Sequence, residues 1–452
     1  MNHHIKNVDS FERRVSHAII EFMKVAFIIA EYNPFHLGHA WQLDAARKQL
    51  GEDLAFVAIM SGCLTQRGEP AVLDKWSRTR MALACGISLV VELPFAYATA
   101  SAERFAQGGV GLADATGLNG HLVFGSECGD LAQLQQLAGL LNQEPPEFRL
   151  LLRQYLDQGK SFAAARQEAI TGLTGDVELG KILGNANNIL AVEYLKAMGE
   201  SGQRQLVPLT FQRQGQAYLD HAPTTPAEGF ASAASIRRLI NNNRCHQGAN
   251  VTPSLFSALT KTMPPSALAV LLEKIRSGPG PLGPEDLAEP IIGRLRGLDP
   301  SQLDQIPGMH EGLGRRLAAA AARPGKSCDQ SGGRLEILLS DAATKRFPRT
   351  RIQRALMAML AGLRQEDLSL FNQQGGPQYL RILGFDKKGR HLLKIMRKQA
   401  KLPILMNMSD RLEHKNDALL RMAELDGIAT DLWMLAAGKR CGLDFDTPPV
   451  MR

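Results

Sequence analysis

Between Val25 and His39 the chain reads VAFIIAEYNPFHLGH, and this stretch restricts the fold more than any other. VAFIIA is a continuous apolar run with β-branched residues, which suits a strand buried on both faces in a parallel sheet. The Asn33-Pro34 step then turns the chain. From about His39 to Leu50, Leu43, Ala46 and Leu50 fall on one side of a helix. The alternation continues. Leu54–Met60, Ser88–Leu93 and His121–Gly125 read as further strands, and Asp74–Cys85 as a helix closed by Gly86. Strands alternating with helices predict an α/β fold with a parallel sheet.

Helical patterns dominate from about Asp130 to Met198, Leu206–Phe211 reads as one more strand, and Ser232–Ile240 as a helix with a serine start. Past residue 245 strand-like alternation is scarce, and Pro and Gly break the chain into helices, with Ser277–Asp286 and Cys328–Gly333 as linkers or surface loops. The expected organisation is an appended stretch at 1–23, an α/β domain at 24–245 and a mainly helical domain at 246–452. Met1–Phe22 is expected to be dispensable.

A chain of 452 residues has room for two or three domains, and 44% hydrophobic with 21% charged residues excludes wholesale disorder. No apolar run is long enough for a membrane span, and no secretory signal pattern opens the chain. The six cysteines form no CxxC pair, which weighs against a structural zinc or a disulfide framework and suits a reducing cytoplasm. The formal charge is +7, and Lys345–Lys401 holds 14 Lys and Arg against three acids, a local +11. So one-sided a block suggests a polyanion, nucleic acid above all, although a solvated helix face is the bland alternative.

The chemistry concentrates at His36-Leu37-Gly38-His39. A helix N-terminus carries partial positive charge and unpaired N–H groups, both suited to phosphate. Gly38 lets backbone approach a ligand. His36 and His39 are three residues apart and share a face, where two imidazoles can hydrogen-bond phosphate oxygens and stabilise charge developing on phosphorus. Histidines so spaced also cap helices or bind metal. No HExxH or second histidine pair supports a metal, and none is expected.

The motif resembles the histidine signature of the nucleotidyltransferase superfamily, and Phe230–Arg238, FASAASIRR, is similar to its second phosphate-contacting element, with Ser232, Ser235 and Arg237 as candidates. In order along the chain, EYNPFHLGH, Ser61–Leu83, VVELPFAYA, FGSECGD, NANNILAVEYLKAM and FASAASIRR resemble the tRNA(Met) cytidine acetate ligase family. The likeness continues through IPGMHEGLGRRL, KRFPRTRIQRAL and LRILGFDKKGRHLLK, and so spans nearly all of the chain from Met23. Leu37 departs from the Asn that many members carry there.

This resemblance implies a Rossmann-like parallel-sheet nucleotidyltransferase domain followed by a mainly helical domain. It also implies a ligase that makes acetyl-adenylate from acetate and ATP, Mg accompanying the ATP in one version. The acetyl group then passes to N4 of the wobble cytidine of elongator tRNA(Met). By motif, His36 and His39 are catalytic. ATP contacts fall on Ile29, Ala30, Glu31, Tyr32, Asn33, Pro34, Phe35, His36, Leu37, Gly38, His39, Ala40, Trp41 and Gln42. Gly125, Asn188 or its neighbour Asn187, Arg213 and Ser235 complete that set. Lys345, Arg346, Arg349, Arg351 and Arg354 are expected to bind tRNA phosphates. Glu31 and Glu92 end strands on the ligand side of an α/β sheet, and the loop holding Arg67 suits closure over substrate; each equally suits plain scaffold. An adenylyltransferase of coenzyme synthesis and a non-catalytic RNA-binding protein remain as alternatives. Neither needs the histidine motif, the distal Ser-Ile-Arg and the basic block together.

Overall fold

The computed structural model describes residues 23–200, 206–213, 230–245, 248–249, 251–277, 281–322 and 333–452; the expectation for Met1–Phe22 lies outside them. The five expected strands form as β1 (Val25–Ala30), β2 (Ala55–Ser61), β3 (Leu89–Leu93), β4 (Gly120–Ser126) and β5 (Leu206–Gln212). They are mutually parallel in the order β3-β2-β1-β4-β5. The chain builds outward from β1 on one side, then returns to build on the other. This leaves a switch point at the carboxyl ends of β1 and β4, where such sheets hold ligands.

β1 shows why the apolar runs are continuous. Val25 and Phe27 face one core, and Ala26 and Ile28 face the other. The first core is covered by helices α3 (Ala102–Ala115) and α4 (Ala186–Glu200), the second by α1 (Leu37–Leu50), α2 (Lys75–Ala84), α5 (Ala233–Asn242) and α6 (Pro265–Arg276). With both faces covered, no position on β2 is exposed to water.

The second half is mostly helical, including α7 (Arg349–Ala361), α8 (Lys387–Gln399), α9 (Asp417–Ala436) and the single turn α10 (Leu443–Asp446). It also supplies strands that the sequence reading did not contain. β6 (Leu380–Phe385) pairs antiparallel with β3, while β7 (Ile404–Leu405) and β8 (Val450–Met451) pair parallel with β6. The sheet therefore runs across the expected 245/246 boundary. α6 packs on the second core, and Asp426 of α9 accepts the Phe95 N–H at 2.6 Å, tying the end of the chain to the turn after β3. Arg381 interrupts the apolar run of β6, so the sequence pattern does not mark it as a strand.

Candidate active site

β1 delivers the loop Glu31–Phe35 to the switch point, and hydrogen bonds from two sides fix it there. The Asn33 carboxamide oxygen accepts the Val72 N–H at 2.7 Å, and the Asn33 carbonyl accepts from Arg237 Nη1 at 2.9 Å. Glu31 accepts the Gln66 N–H at 2.7 Å, and its carbonyl accepts from the buried Arg78 guanidinium at 2.6 Å. Tyr32 and Phe35 are core residues.

His36 caps α1. Its Nδ1 accepts the Gly38 N–H at 3.0 Å, while the His36 N–H donates to His39 Nδ1 at 3.2 Å. The two rings stack at 3.8 Å with 26° between planes. Because each Nδ1 is an acceptor, a neutral imidazole must carry its proton on Nε2. Burial first, then the Arg213 and Arg237 guanidinia, push His36 down to about 3. Burial, then His36 and Arg213, hold His39 well below the usual histidine range. The site thus presents two neutral imidazoles with fixed tautomers, both offering Nε2–H.

The unpaired amides expected at the start of α1 are already engaged. The Leu37 N–H donates to the Thr262 carbonyl at 3.0 Å, and the Gly38 N–H to His36. The donors left to a ligand here are therefore imidazoles. Gly38 also has a local reason: a Cβ would lie 2.8 Å from His36 Cε1.

One cleft joins His36, Gly38, His39, Trp41 and Gln42 to Gly125, Phe211, Arg213 and the Phe230–Ser232 segment. Trp41 meets Phe211 edge-on at 6.2 Å and Phe230 at 6.3 Å, making an aromatic wall suited to a purine. Phe211 and Phe230 were absent from the expected set, although Phe230 opens the FASAASIRR segment. Of the 29–42 stretch, the other expected contacts support the cleft from behind: Ile29, Ala30, Glu31, Tyr32, Asn33, Pro34, Phe35, Leu37 and Ala40 do not line it.

Gly125, next to the last residue of β4, lies beside Arg213, and a Cβ there would lie 3.1 Å from Arg213 Cγ. Arg213 Nη1 donates to the Asn187 side-chain oxygen at 3.2 Å. Asn187 and Asn188 differ in burial and in partners. Asn188 is 1% exposed; its oxygen accepts the N–H groups of Glu127 and Cys128 at 2.8 and 3.1 Å, and its amide donates to the Ile182 carbonyl at 3.1 Å. Asn187 is partly exposed and touches the cleft only through Arg213, which lines it. Similarly, Ser232 lines the cleft whereas Ser235 does not: the Ser235 hydroxyl donates to the Ser232 carbonyl at 2.7 Å.

The basic block does not form one patch. Arg346 and Arg351 share Glu311 at 3.6 and 3.2 Å, Arg349 pairs with Glu336, Lys401 with Asp114 at 2.8 Å, and Arg381 is buried. Lys345 is exposed at the approach to α7, and Arg354 is half-buried on it. On α8, Lys387, Arg390, Lys394, Arg397 and Lys398 form an exposed stripe that meets no acid among the described residues. Among those residues no helix is long and apolar enough to cross a membrane.

The sequence pattern of the HIGH nucleotidyl transferase family matches residues 23–443. A tRNA(Met) cytidine acetate ligase of Acetivibrio thermocellus is 36% identical over 94% of this chain and 98% of its own length. One from Syntrophomonas wolfei is 39% identical, over 95% and 99%. The crystal structure of apo Thermotoga maritima TmcAL superposes with a TM-score of 0.84 at 34% identity, covering 95% of this chain and 99% of that one. The same protein bound with alpha-thio ATP superposes with a TM-score of 0.81 at 32% identity, with the same coverage.

Proposed function

The chain belongs to the tRNA(Met) cytidine acetate ligase family of HIGH nucleotidyl transferases, and on that premise we propose that the histidine cleft carries out its adenylation step. The enzyme is an ATP-dependent ligase. An acetate oxygen attacks the α-phosphorus of ATP, the bond to the β-phosphate breaks, and pyrophosphate leaves. The N4 amine of the wobble cytidine of elongator tRNA(Met) then attacks the acetyl carbonyl. A C–N bond forms, the bond to AMP breaks, and N4 loses a proton.

The observation that carries this reading is the neutral, stacked pair His36 and His39 facing Arg213 across a cleft with an aromatic wall. Trp41, Phe211 and Phe230 take the adenine. The two Nε2–H donors meet the α-phosphate and strengthen as its oxygens gain charge in the transition state. Ser232 at the start of α5 donates to the rest of the triphosphate, and Arg213 neutralises part of its charge. Glu127, the nearest carboxylate to Asn187, is occupied by the Asn187 and Asn188 N–H groups at 3.2 and 2.7 Å. Among the described residues no carboxylate lines the cleft, and Gln42 and Ser232 offer it only neutral oxygens; a Mg ion arriving with ATP is held mainly by phosphate oxygens.

Residues 24–245, completed by β6–β8, are the catalytic unit; the helices that follow, with α7 foremost, receive tRNA through phosphate contacts, and the work is cytoplasmic. The test is ATP–pyrophosphate exchange measured with and without acetate, followed by acetyl transfer to tRNA(Met) transcripts with C or U at the wobble position. Acetate-dependent exchange and cytidine-dependent transfer are expected. Exchange that ignores acetate would point to another adenylated substrate and overturn the reading.

A further inference from the structure

A recess of about 450 Å³ opens between the start of α2, the end of α6 and the link from α9 to α10. Its walls are the indoles of Trp76 and Trp433 with Leu73, Met434 and Leu443. Its volume falls in the range of about 300–1,000 Å³ typical of ligand sites. Trp76, Trp433, Met434 and Ala437 belong to a small apolar cluster separate from the two cores that flank the sheet. Both halves of the chain therefore build the recess.

One peptide group separates it from the loop that leads to the histidines. The Ala71 carbonyl accepts from Trp433 Nε1 at 2.7 Å, and the Val72 N–H of the same peptide donates to the Asn33 side-chain oxygen at 2.7 Å. In a trans peptide these two groups point in opposite directions. Trp433 Nε1 and Asn33 Oδ1 are therefore at most about 8 Å apart, and Asn33 lies three residues before His36. The next two residues, Leu73 and Asp74, line the recess. The Leu73 carbonyl accepts from Arg78 Nε at 3.0 Å, and Arg78 Nη1 holds the Glu31 carbonyl.

Its chemistry suits a planar ring that carries an anion. The Lys75 ammonium lies 5.3 Å from the centroid of Trp76 and holds that ring in place. Trp76 is 8% exposed, and its Nε1–H is buried with no acceptor among the described residues. The edge of a nucleobase supplies carbonyl oxygens and ring nitrogens of the kind it lacks. Three cations stand in the lining. Lys274 lies 3.8 Å from Asp74, and Arg440 pairs with Asp446 at 2.7 Å, whereas Lys439 is exposed and meets no acid among the described residues. Asp74 is the one acid among the described lining residues, and its oxygens already accept the Ser77 N–H and hydroxyl at 2.8 and 2.6 Å.

We propose that this recess takes an unpaired base of the tRNA anticodon loop, a neighbour of the cytidine to be acetylated, stacked against the two indoles with its phosphate on Lys439. Unpaired RNA is recognised in this way, by aromatic stacking beside a cation. The inference rests on the ligase reading above and adds a site for its second substrate.

The test uses the full chain carrying Thr447→Trp, which fills the recess, or Lys439→Gln, which removes an exposed charge. Both residues line the recess and neither lines the histidine cleft. Acetate-dependent exchange is measured beside tRNA(Met) affinity, with the parent transcript and with transcripts carrying one abasic position at each unpaired site of the anticodon loop. Thr447→Trp should weaken tRNA binding about 10-fold, the scale of one base–aromatic stack, and leave exchange as in the parent. One abasic transcript should lose as much on the parent chain and nothing further on Thr447→Trp, because both changes delete the same contact. Lys439→Gln should lower the log–log salt slope of tRNA affinity by about one. Unchanged tRNA affinity in Thr447→Trp, beside a parent chain that exchanges normally, would overturn the recess alone. A loss that adds to that of every abasic transcript would overturn it too, since no base then sits there. Parallel loss of exchange would make the recess part of the adenylation scaffold and overturn the proposal. Absence of acetate-dependent exchange in the parent would overturn the ligase reading and the recess with it.

Discussion

Asp444 Oδ2 lies 2.7 Å from Lys75 Nζ, a contact between the start of α2 and the last turn of the chain, with both side chains fully buried. The same ammonium donates to both Glu92 oxygens at 2.8 Å, and Arg381 lies 3.6 Å from Asp444. Burial disfavours charge on Asp444, but Lys75 and Arg381 outweigh it and hold the carboxyl below its usual range. Removing the ammonium strands two carboxylates in the core. Lys75→Met should therefore lower stability by about 3–5 kcal/mol, read as a shift of the urea midpoint. A shift under about 1 kcal/mol, the scale of a surface pair, would show that water reaches the cluster.

The histidine pair makes a pH-dependent contribution whose sign follows from its burial. Folded His36 titrates at about 3, against an ordinary 6.5. Below pH 6.5 the unfolded chain takes up a proton that the folded chain refuses, so stability falls as pH drops from about 6.5 towards 3. His36→Gln should flatten that part of the profile of melting temperature against pH. Adenylate formation should fall by about 10²–10³ in His36→Ala or His39→Ala, the usual cost of losing a donor to developing charge. Near-normal adenylation in both would remove the imidazoles from the chemistry.

Gly125 and Asn187 both bear on Arg213, and their substitutions should act through ATP. Gly125→Ala places a methyl 3.1 Å from Arg213 Cγ and should displace that side chain, at a fold cost of about 1 kcal/mol. Asn187→Ala removes the carboxamide that receives Arg213 Nη1. Each should raise the KM for ATP while leaving tRNA affinity intact. Asn188→Ala should instead lower the melting temperature, because the Glu127 and Cys128 N–H groups lose their acceptor. Equal effects from both asparagine changes on KM, with no loss of melting temperature, would contradict this division.

The five central strands were legible because burial on both faces demands the continuous apolar runs seen at Val25–Ala30 and Leu206–Phe211. His36 and His39 were legible because strand, turn and helix start follow one another directly in sequence. β6 was not, since Arg381 in LRILGF reads as a polar break. A buried arginine makes sense only beside Asp444, 63 residues later. Nor could sequence separate Asn187 from Asn188, neighbours of one type whose partners lie about 60 positions away. The +11 block was countable, but Glu311 and Glu336, which neutralise part of it, sit outside its bounds.

Glu311 offers a test of the proposed tRNA contact at α7. It sits at φ of +63° in the IPGMHEGLGRR turn and pairs with both Arg346 and Arg351. Those guanidinia, with Arg349 held by Glu336, hold the two carboxyls below their usual range through hydrogen bonds first and charge second. An RNA phosphate arriving at α7 must compete with these carboxylates. Glu311→Gln removes that competition at an exposed position where the ion pairs contribute little to stability. The variant should bind tRNA more tightly, most clearly at low salt, with a slope of log affinity against log salt steeper by up to about one per released arginine. Neutralising Arg351 and Arg354 together should do the opposite: acetyl-adenylate still forms, but transfer to tRNA fails at moderate salt. The measurement is tRNA affinity across a salt series for the parent chain and both variants. If Glu311→Gln leaves affinity and slope unchanged and the double arginine variant also binds normally, α7 is a solvated surface, and the unpaired stripe of α8 becomes the surface to test.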